Sequence, residues 1–312
     1  MIHLGRLSTL CELADRGTIA ATAEALHLTP SAVSQQLAAL ELEVGEALLK
    51  PDGRSVRLTP VASLLVRRAA AIFVQVEALH ADLLRHRSGA TAQLRIGAFA
   101  SAISGLVAPA AEQLRRTVPE VNLEVAELEA PKALDQLLRH ELDVVISMQA
   151  PGAPSQDDPR IARIELAVDA LEALLPADHG LASLREIPIE ALSREPWILP
   201  PPGQLCEIVI LAGCQSAGFT PRAVHRCADW GATAALVGSG LGVALTPRLA
   251  GLRECRDVAV RQLAHPAPAR HLFAAIRRGS GDAPVMRAFL DVLTSASPPS
   301  EVHDDRGMIA QP

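Results

Sequence analysis

Apolar positions recur at three- and four-residue spacing in three short runs at the start of the chain. Leu7, Leu10, Leu13 and Ala14 form the first stripe, and Gly17 ends it. Thr18 then caps a short helix reaching about Leu26, in which Ala20, Ala21, Ala23 and Ala25 permit close backbone approach. His27 and Leu28 make a turn. In the stretch HLTPSAVSQQLAALE, Thr29 suits an N-cap and Pro30 the first helical position. Val33, Leu37 and Leu40 give this third helix its buried stripe, and it ends near Val44 and Gly45. Helix, tight turn, helix with small residues in the first partner is a helix-turn-helix pattern.

The period then shortens. Asp52-Gly53 lies between two extended runs, Ala47–Lys50 and Ser55–Leu58, which predicts a hairpin. A hairpin directly after a helix-turn-helix is a wing, and Arg54 and Arg57 sit where a wing meets a phosphate backbone. Thr59-Pro60 repeats the cap-then-proline signal and opens a long helix to about Arg87. Leu65, Ile72 and Leu79 recur every seven residues, as do Ala69, Val76 and Leu83. That seam either pairs with a second copy of the chain or packs on its own domain, and its regularity favours pairing. Ser88 to Thr91 reads as a hinge.

From Gln93 strands and helices alternate. Strands at Leu94–Ala98, Val121–Glu127 and Asp143–Met148 enclose helices at Leu106–Arg116 and Lys132–Arg139, a βαβαβ unit with a parallel sheet. A loop covers Pro151–Pro159. A second α/β run follows, with strands at Ala162–Ala167 and Leu171–Leu175 and a proline-rich stretch at Leu199–Gly203. It continues with helix Glu207–Ala217, strand Arg222–Cys227, helix Gly231–Gly238 and strand Val243–Leu245. Strand His271–Ile276 and helix Ala283–Ser295 close the pattern, and the polar tail 296–312 is expected to be disordered. The fold class is α/β with an all-α N-terminal part.

Composition narrows this reading. At 312 residues the chain exceeds one ordinary core, and with 2% aromatic residues and no Tyr its cores must be built from Ala, Val and Leu. The longest apolar runs are far too short for a bilayer, and the N-terminus lacks a signal-peptide pattern, so a cytoplasmic protein with no membrane association is expected. The five cysteines are odd in number and form no C-x-x-C, which suggests neither a disulfide framework nor a zinc site. The ten histidines show no metal-ligand spacing, and no metal or cofactor is expected.

One feature of the third helix is chemical. Its exposed face near the N-terminus carries Ser31, Ser34, Gln35 and Gln36 rather than the usual Glu, Lys and Arg. Two readings stand: a polar solvated face with a good cap, or a set of hydrogen-bonding side chains for base edges in a major groove.

The motifs GTIAATAEALHLTPSAVSQQLAALELEVGEALLK, RSVRLTP, LRIGAFAS, VPEVNLEVAEL, HELDVVIS and ALVGSGLGVALTP together resemble the LysR-type transcriptional regulators. They fall in that family's order across roughly residues 2–295. The resemblance implies a winged helix-turn-helix at residues 1–58 and a dimerisation linker helix and hinge at 59–90. It implies a periplasmic-binding-like effector domain at 91–295, with subdomain I at 91–162 and 268–295 and subdomain II at 163–267. It further implies promoter DNA and a small-molecule effector of unknown identity as partners, a homodimer or homotetramer, and no enzymatic activity. The DNA-facing residues on that model are Thr18, Thr29, Pro30, Ser31, Ser34, Gln35, Arg54 and Arg57. The polar face of the third helix then reads as the base-reading surface.

The chain also departs from the family. After the wing's entry Leu the family carries L-F-x-R, whereas here the stretch is Leu48-Leu49-Lys50-Pro51, and Pro51 cannot contact phosphate as an Arg would. Residues 1–58 hold five Lys/Arg against seven Asp/Glu, a net of −2, so they lack the basic footprint of a DNA-binding domain. Phosphate neutralisation should then contribute little per subunit, and the salt dependence should be shallow.

Ligands of such α/β folds sit between subdomains, at the C-terminal ends of strands and at helix N-termini. That edge holds Phe99, Ser101 and Ala102 after the first strand and Met148 after the third. On the far wall are Leu199, Pro200, Asp229, Trp230 and Thr246. Ser101 suits either an effector anion or the cap of the next helix. Asp229 either faces the cleft or caps its helix, and Trp197 belongs to a core. VGSGLGV lacks the strand, helix and Lys of a phosphate loop, so its glycines are assigned to tight packing. Cys206 and Cys214 lie where peroxide-sensing members of the family carry a cysteine pair, but CEIVILAGC offers no neighbouring cation to lower a thiol pKa. The alternative functions are a small-molecule binding protein acting without DNA and a redox-responsive regulator with weakened DNA binding.

Overall fold

The computed structural model describes residues 1–52, 55–86, 93–150 and 158–296. Arg54, the hinge at 88–91, most of the loop 151–159 and the tail beyond 296 lie outside the described residues. The chain divides into two compact units, residues 1–83 with 278–280, and residues 84–277 with 281–312.

The first unit opens with helices α1 (Leu4–Arg16), α2 (Ile19–Ala25) and α3 (Pro30–Val44). Gly17 and Gly45 end α1 and α3 in the left-handed region, at φ 75° and 80°. The Thr18 hydroxyl accepts from the Ala21 N–H, and Thr29 does the same for Ala32, so both N-caps form as the sequence predicts. Leu10, Leu13, Ala23, Val33, Leu37 and Leu40 meet in one core, with Leu48 and Ala62. The hairpin strands are β1 (Leu49–Asp52) and β2 (Ser55–Leu58), with Leu49 opposite Leu58 and Pro51 opposite Val56. The first strand thus runs two residues later than expected. Leu48 is fully buried in the helical core, and Glu41 holds its N–H group, so pairing begins only after it, at Leu49.

Helix α4 (Pro60–His86) follows. Along its seam Ala69 is buried, whereas Ile72, Leu79 and Leu83 are 41%, 56% and 51% exposed. A 27-residue helix keeping such a stripe in water has unsatisfied apolar surface.

In the second unit, β3 (Gln93–Ala98), β4 (Asn122–Glu127) and β5 (Val144–Met148) are parallel, in the order β4-β3-β5. Helices α5 (Ala100–Ala102) and α6 (Ala108–Thr117), joined by a π-helical turn at Ile103–Val107, lie between β3 and β4. Helix α7 (Lys132–Leu138) precedes β5. The two strands expected at Ala162–Ala167 and Leu171–Leu175 are one strand of 16 residues, β6 (Ile161–Pro176). Asp169 lies between the two expected ranges, and a buried partner holds it within the strand.

Beyond β6 come β7 (Glu186–Ile187), β8 (Pro196–Leu199), α8 (Leu205–Ser216), β9 (Arg222–Arg226), α9 (Trp230–Gly238), β10 (Ala244–Pro247), β11 (Val258–Leu263), β12 (Ala269–Arg277) and α10 (Pro284–Ala296). The large sheet runs β4-β3-β5-β12-β6-β11-β7, with β10 also on β6, and β8 pairs with β9 in parallel. Strand β6 pairs with β12 over Ile161–Ala170 and with β10 from Leu171. It therefore runs from one α/β half of the unit into the other. The second half has its own core around Trp197, Leu199, Ile210, Cys214 and Leu245. Trp197 is fully buried, and its indole N–H donates to the Leu192 carbonyl at 3.0 Å. Two of the VGSGLGV glycines serve packing, while Gly240 stands in open space at φ 73° and serves the turn. A Cβ on Gly238 would meet Asp257 at 3.1 Å, and one on Gly242, at φ 150°, would meet the Pro196 carbonyl at 2.5 Å.

Candidate functional site

Two places carry chemistry. The first is the N-terminal end of α3. Ser31, Ser34 and Gln35 are exposed, as are Thr18, Thr29 and Pro30. The period of the helix separates neighbouring amides: Gln35 points outward, whereas Gln36 turns in and accepts from the Thr9 hydroxyl at 2.5 Å. The Ser34 hydroxyl donates to the Pro30 carbonyl at 2.9 Å, and Thr29 and Ser31 share a bond of 3.0 Å. Helix α2 presses its alanines on the inner side, leaving this polar patch as the outer side of the motif.

Cations nearby are already partnered. Arg6 pairs with Glu43, Arg16 with Glu12 at 2.8 Å, and Arg57 with Asp52 at 3.1 Å. Arg57 is nevertheless well exposed, and such a surface pair is weak. Glu43, Glu12 and Asp52, three of the seven acidic residues counted in the sequence, are thus held in local ion pairs. Pro51 is exposed on the hairpin.

The second place lies where β6 and β12 cross between the α/β halves. Arg270 on β12 stands directly opposite Asp169 on β6. Their side chains are 1% and 2% exposed. Arg270 donates to Asp169 Oδ2 through Nε at 3.0 Å and through Nη2, and Nη2 also donates to the Ser101 hydroxyl at 2.9 Å. The other Asp169 oxygen accepts from the Leu249 N–H at 3.2 Å. The guanidinium also lies 4.9 Å from the Phe99 ring centroid. Ser101 and Phe99 come from the C-terminal end of β3, and Glu129 follows β4. Cys206 and Leu205 open α8 in the other half. Five elements thus converge on one guanidinium.

Burial pushes the Glu129 carboxyl up, against the charge of Arg270 and with help from Glu127, while the Leu205 N–H on its carboxylate opposes the rise. Burial likewise pushes the Cys206 thiol up to about 11, despite a hydrogen bond from Arg270. The cation that the flanking sequence lacks therefore arrives from 64 residues away, yet burial outweighs it. Cys214 is buried and pushed up to about 12 by burial alone. Neither thiol is a ready thiolate.

The remaining residues expected here divide by burial. Ala102, Met148, Leu199 and Thr246 are fully buried, and Pro200 is buried. Ser101 does not cap α5, which has no side-chain cap at all. Asp229 is exposed and does cap α9, accepting from the Ala232 N–H at 2.7 Å. Trp230 is half-buried against the second core. The loop at Pro200–Gly203 is pinned: Arg226 donates to the Pro200 carbonyl at 2.7 Å and pairs with Glu207, which accepts from the Gly203 N–H at 2.8 Å. Sequence reasoning missed Asp169, Arg270, Glu129 and Glu207. No local pattern marks them, because each takes its role from a partner distant in sequence or on another element. A charged residue amid an apolar strand run was the one available signal, at Asp169.

Comparison with known proteins bears on both places. The family pattern described as bacterial regulatory helix-turn-helix protein, lysR family, matches residues 4–63, and the LysR substrate binding domain matches residues 87–298. The Hca operon transcriptional activator HcaR of Escherichia coli K12 is 30% identical over 275 residues, covering 87% of this chain and 90% of that protein. The transcriptional regulator AlsR of Bacillus subtilis 168 is 25% identical over 269 residues, covering 84% and 86%. The solved full-length OxyR of Pseudomonas aeruginosa superposes with a TM-score of 0.64 at 23% identity, over 100% of this chain and 99% of that one, which shows the shared fold. With both domains matched in order, the chain belongs to the LysR family of DNA-binding transcriptional regulators, whose C-terminal domain binds a small-molecule effector.

Proposed function

We propose that this regulator reads promoter DNA through α3 and senses its effector at the crossing of β6 and β12. The observation that carries the first half is the polar, exposed N-terminal end of α3 on a helix-turn-helix. Ser31, Ser34 and Gln35 supply donors and acceptors for base edges, while Thr18, Thr29 and the α3 N-terminus suit phosphate. Arg57 adds a wing contact, and Arg54, outside the described residues, is assigned the same role. The effector contacts are assigned to Phe99, Ser101, Ala102, Met148, Leu199, Pro200, Trp230 and Thr246, with Asp229 acting through its cap on α9.

The chain works as a homodimer or homotetramer held by α4, where exposed Ile72, Leu79 and Leu83 form the unsatisfied stripe. Its place is the cytoplasm, in keeping with a promoter-binding protein in which, among the described residues, no helix is long and apolar enough to cross a membrane. No enzymatic role is assigned.

Fluorescence anisotropy with DNA from upstream of its own gene, against a scrambled duplex at two salt concentrations, tests the reading. Selective binding with a shallow salt dependence is expected, because Arg6, Arg16 and Arg57 are partnered within the head. Selectivity with a steep dependence would overturn the account of the acidic head. Absence of selectivity even for a fragment library of the genome would overturn the DNA reading.

A further inference from the structure

We infer that Asp169 sets the effector class of the cleft: it is a built-in counter-ion that occupies the anion position on Arg270 and Ser101, reserving the site for an uncharged effector. The inference rests on the crossing of β6 and β12 being the effector site.

A buried guanidinium beside a serine hydroxyl, next to the start of a helix, is a site for a carboxylate or phosphate. Here two of the three guanidinium nitrogens are engaged. Nε and Nη2 of Arg270 are directed at Asp169 Oδ2, Nη2 also reaches Ser101, and Asp169 Oδ1 takes the Leu249 N–H. The pair is fully desolvated, so it is part of the interior rather than an incidental surface contact. The anion position on Arg270 is thus filled by the chain itself. An incoming carboxylate would have to displace Asp169 and leave that charge buried without a partner, which is strongly unfavourable. An uncharged molecule needs no such displacement. Ser101, accepting from Arg270, keeps its own proton to donate to a carbonyl or hydroxyl.

Chemical rescue tests this on the full-length protein. Asp169→Ala removes the counter-ion and leaves a space of carboxylate size beside Arg270. Its thermal unfolding midpoint should fall by roughly 5–15 °C. Acetate should restore at least half of that loss in a saturable way at constant ionic strength, and acetamide, its uncharged counterpart, should not. The wild-type midpoint should respond to neither beyond the ionic-strength control, and Asp169→Ala with Arg270→Leu should lose the rescue. If the alanine variant does not fold, Asp169→Ser, which keeps a hydroxyl for the Leu249 N–H, carries the same comparison.

Absence of acetate-specific rescue in the variant that folds would overturn the inference. So would saturable binding of acetate or benzoate to the wild type that disappears in Arg270→Leu. The cleft reading fails separately: if small molecules alter DNA binding and Trp230→Ala and Pro200→Ala leave that response unchanged, the effector sits elsewhere, whatever the rescue shows.

Discussion

The head and the cleft handle polar groups in opposite ways. At the N-terminal end of α3 the Ser31 and Ser34 hydroxyls and the Gln35 amide stand in water, bonded at most to their own helix and its cap. At the crossing of β6 and β12, Arg270, Asp169 and Ser101 are each almost completely buried and bonded to one another. An exposed donor is available to any partner that approaches. A buried and satisfied one is available only to a partner that repays the broken pair. The difference teaches that affinity for DNA is set by what the head offers, and effector selectivity by what the cleft has already closed off. The charges follow the same division. The head's ion pairs are surface pairs worth little each, whereas the cleft's Arg270–Asp169 pair is one whose disruption is costly.

The largest expected effect comes from breaking the closed side of this contrast. Arg270→Met leaves Asp169 buried without its cation and should lower stability by about 3–5 kcal/mol. Thermal unfolding of the full chain checks this, and a loss below about 1 kcal/mol would mean that water reaches Asp169 and that the cleft is open.

Next in size is the open side. Ser34→Ala with Gln35→Ala should remove about 2–4 kcal/mol of discrimination between target and scrambled DNA, with unchanged circular dichroism. Gln36→Ala offers the internal control. It faces Thr9 rather than solvent, so it should affect the stability of the head and leave base discrimination in place. If Gln36 rather than Gln35 governs selectivity, the assignment of the helix face is wrong.

How far each side was legible in the sequence follows from the same contrast. The head is local. Thr18, Thr29, Pro30, Gly17 and Gly45 fix its helix ends within a few residues, and the 3.6-residue period separates Gln35 from Gln36. Its elements could therefore be read directly, and so could its exposed residues apart from Gln36, which was placed on the outer face and instead turns in to Thr9. The α/β alternation was also readable, since each strand and helix carries its own period. The inner structure of the cleft was not. Ser101 could be placed at the strand end by pattern, but its bond comes from a residue 169 positions away. Asp169 falls between the two strands that were expected, and the partner that keeps it inside one strand, Arg270, is 101 positions away. The same distance hid the cation beside Cys206, for which only adjacent residues could be inspected.

A smaller effect sharpens the head. Thr29→Ala removes the α3 cap and should cost about 1 kcal/mol. Its DNA affinity should fall further than its stability if the Thr29 hydroxyl also meets phosphate. Equal and small changes in both would reduce Thr29 to a cap.

The smallest expected effect concerns Glu129, the one cleft carboxylate whose environment disfavours its charge. Burial is the main cause, and it raises the carboxyl above the usual range in the folded protein. A raised folded value means that the folded state binds the proton more tightly than the unfolded chain does. Its contribution to stability is therefore fully present below the usual carboxylate pKa, about 4.3, and is lost as pH rises through the raised folded value. Glu129→Gln has no such proton to lose and can still accept from the Leu205 N–H. The variant should match the wild type at the acid end of that window and become the more stable of the two above it, by a margin that levels off once Glu129 is ionised. Unfolding midpoints of both proteins across pH 4 to 8 read the difference. A variant less stable than the wild type above the window would mean that the ionised carboxylate, drawn to Arg270 and the start of α8, stabilises the closed cleft. Glu129 would then belong with Asp169 as a second internal counter-ion that an anionic effector must displace.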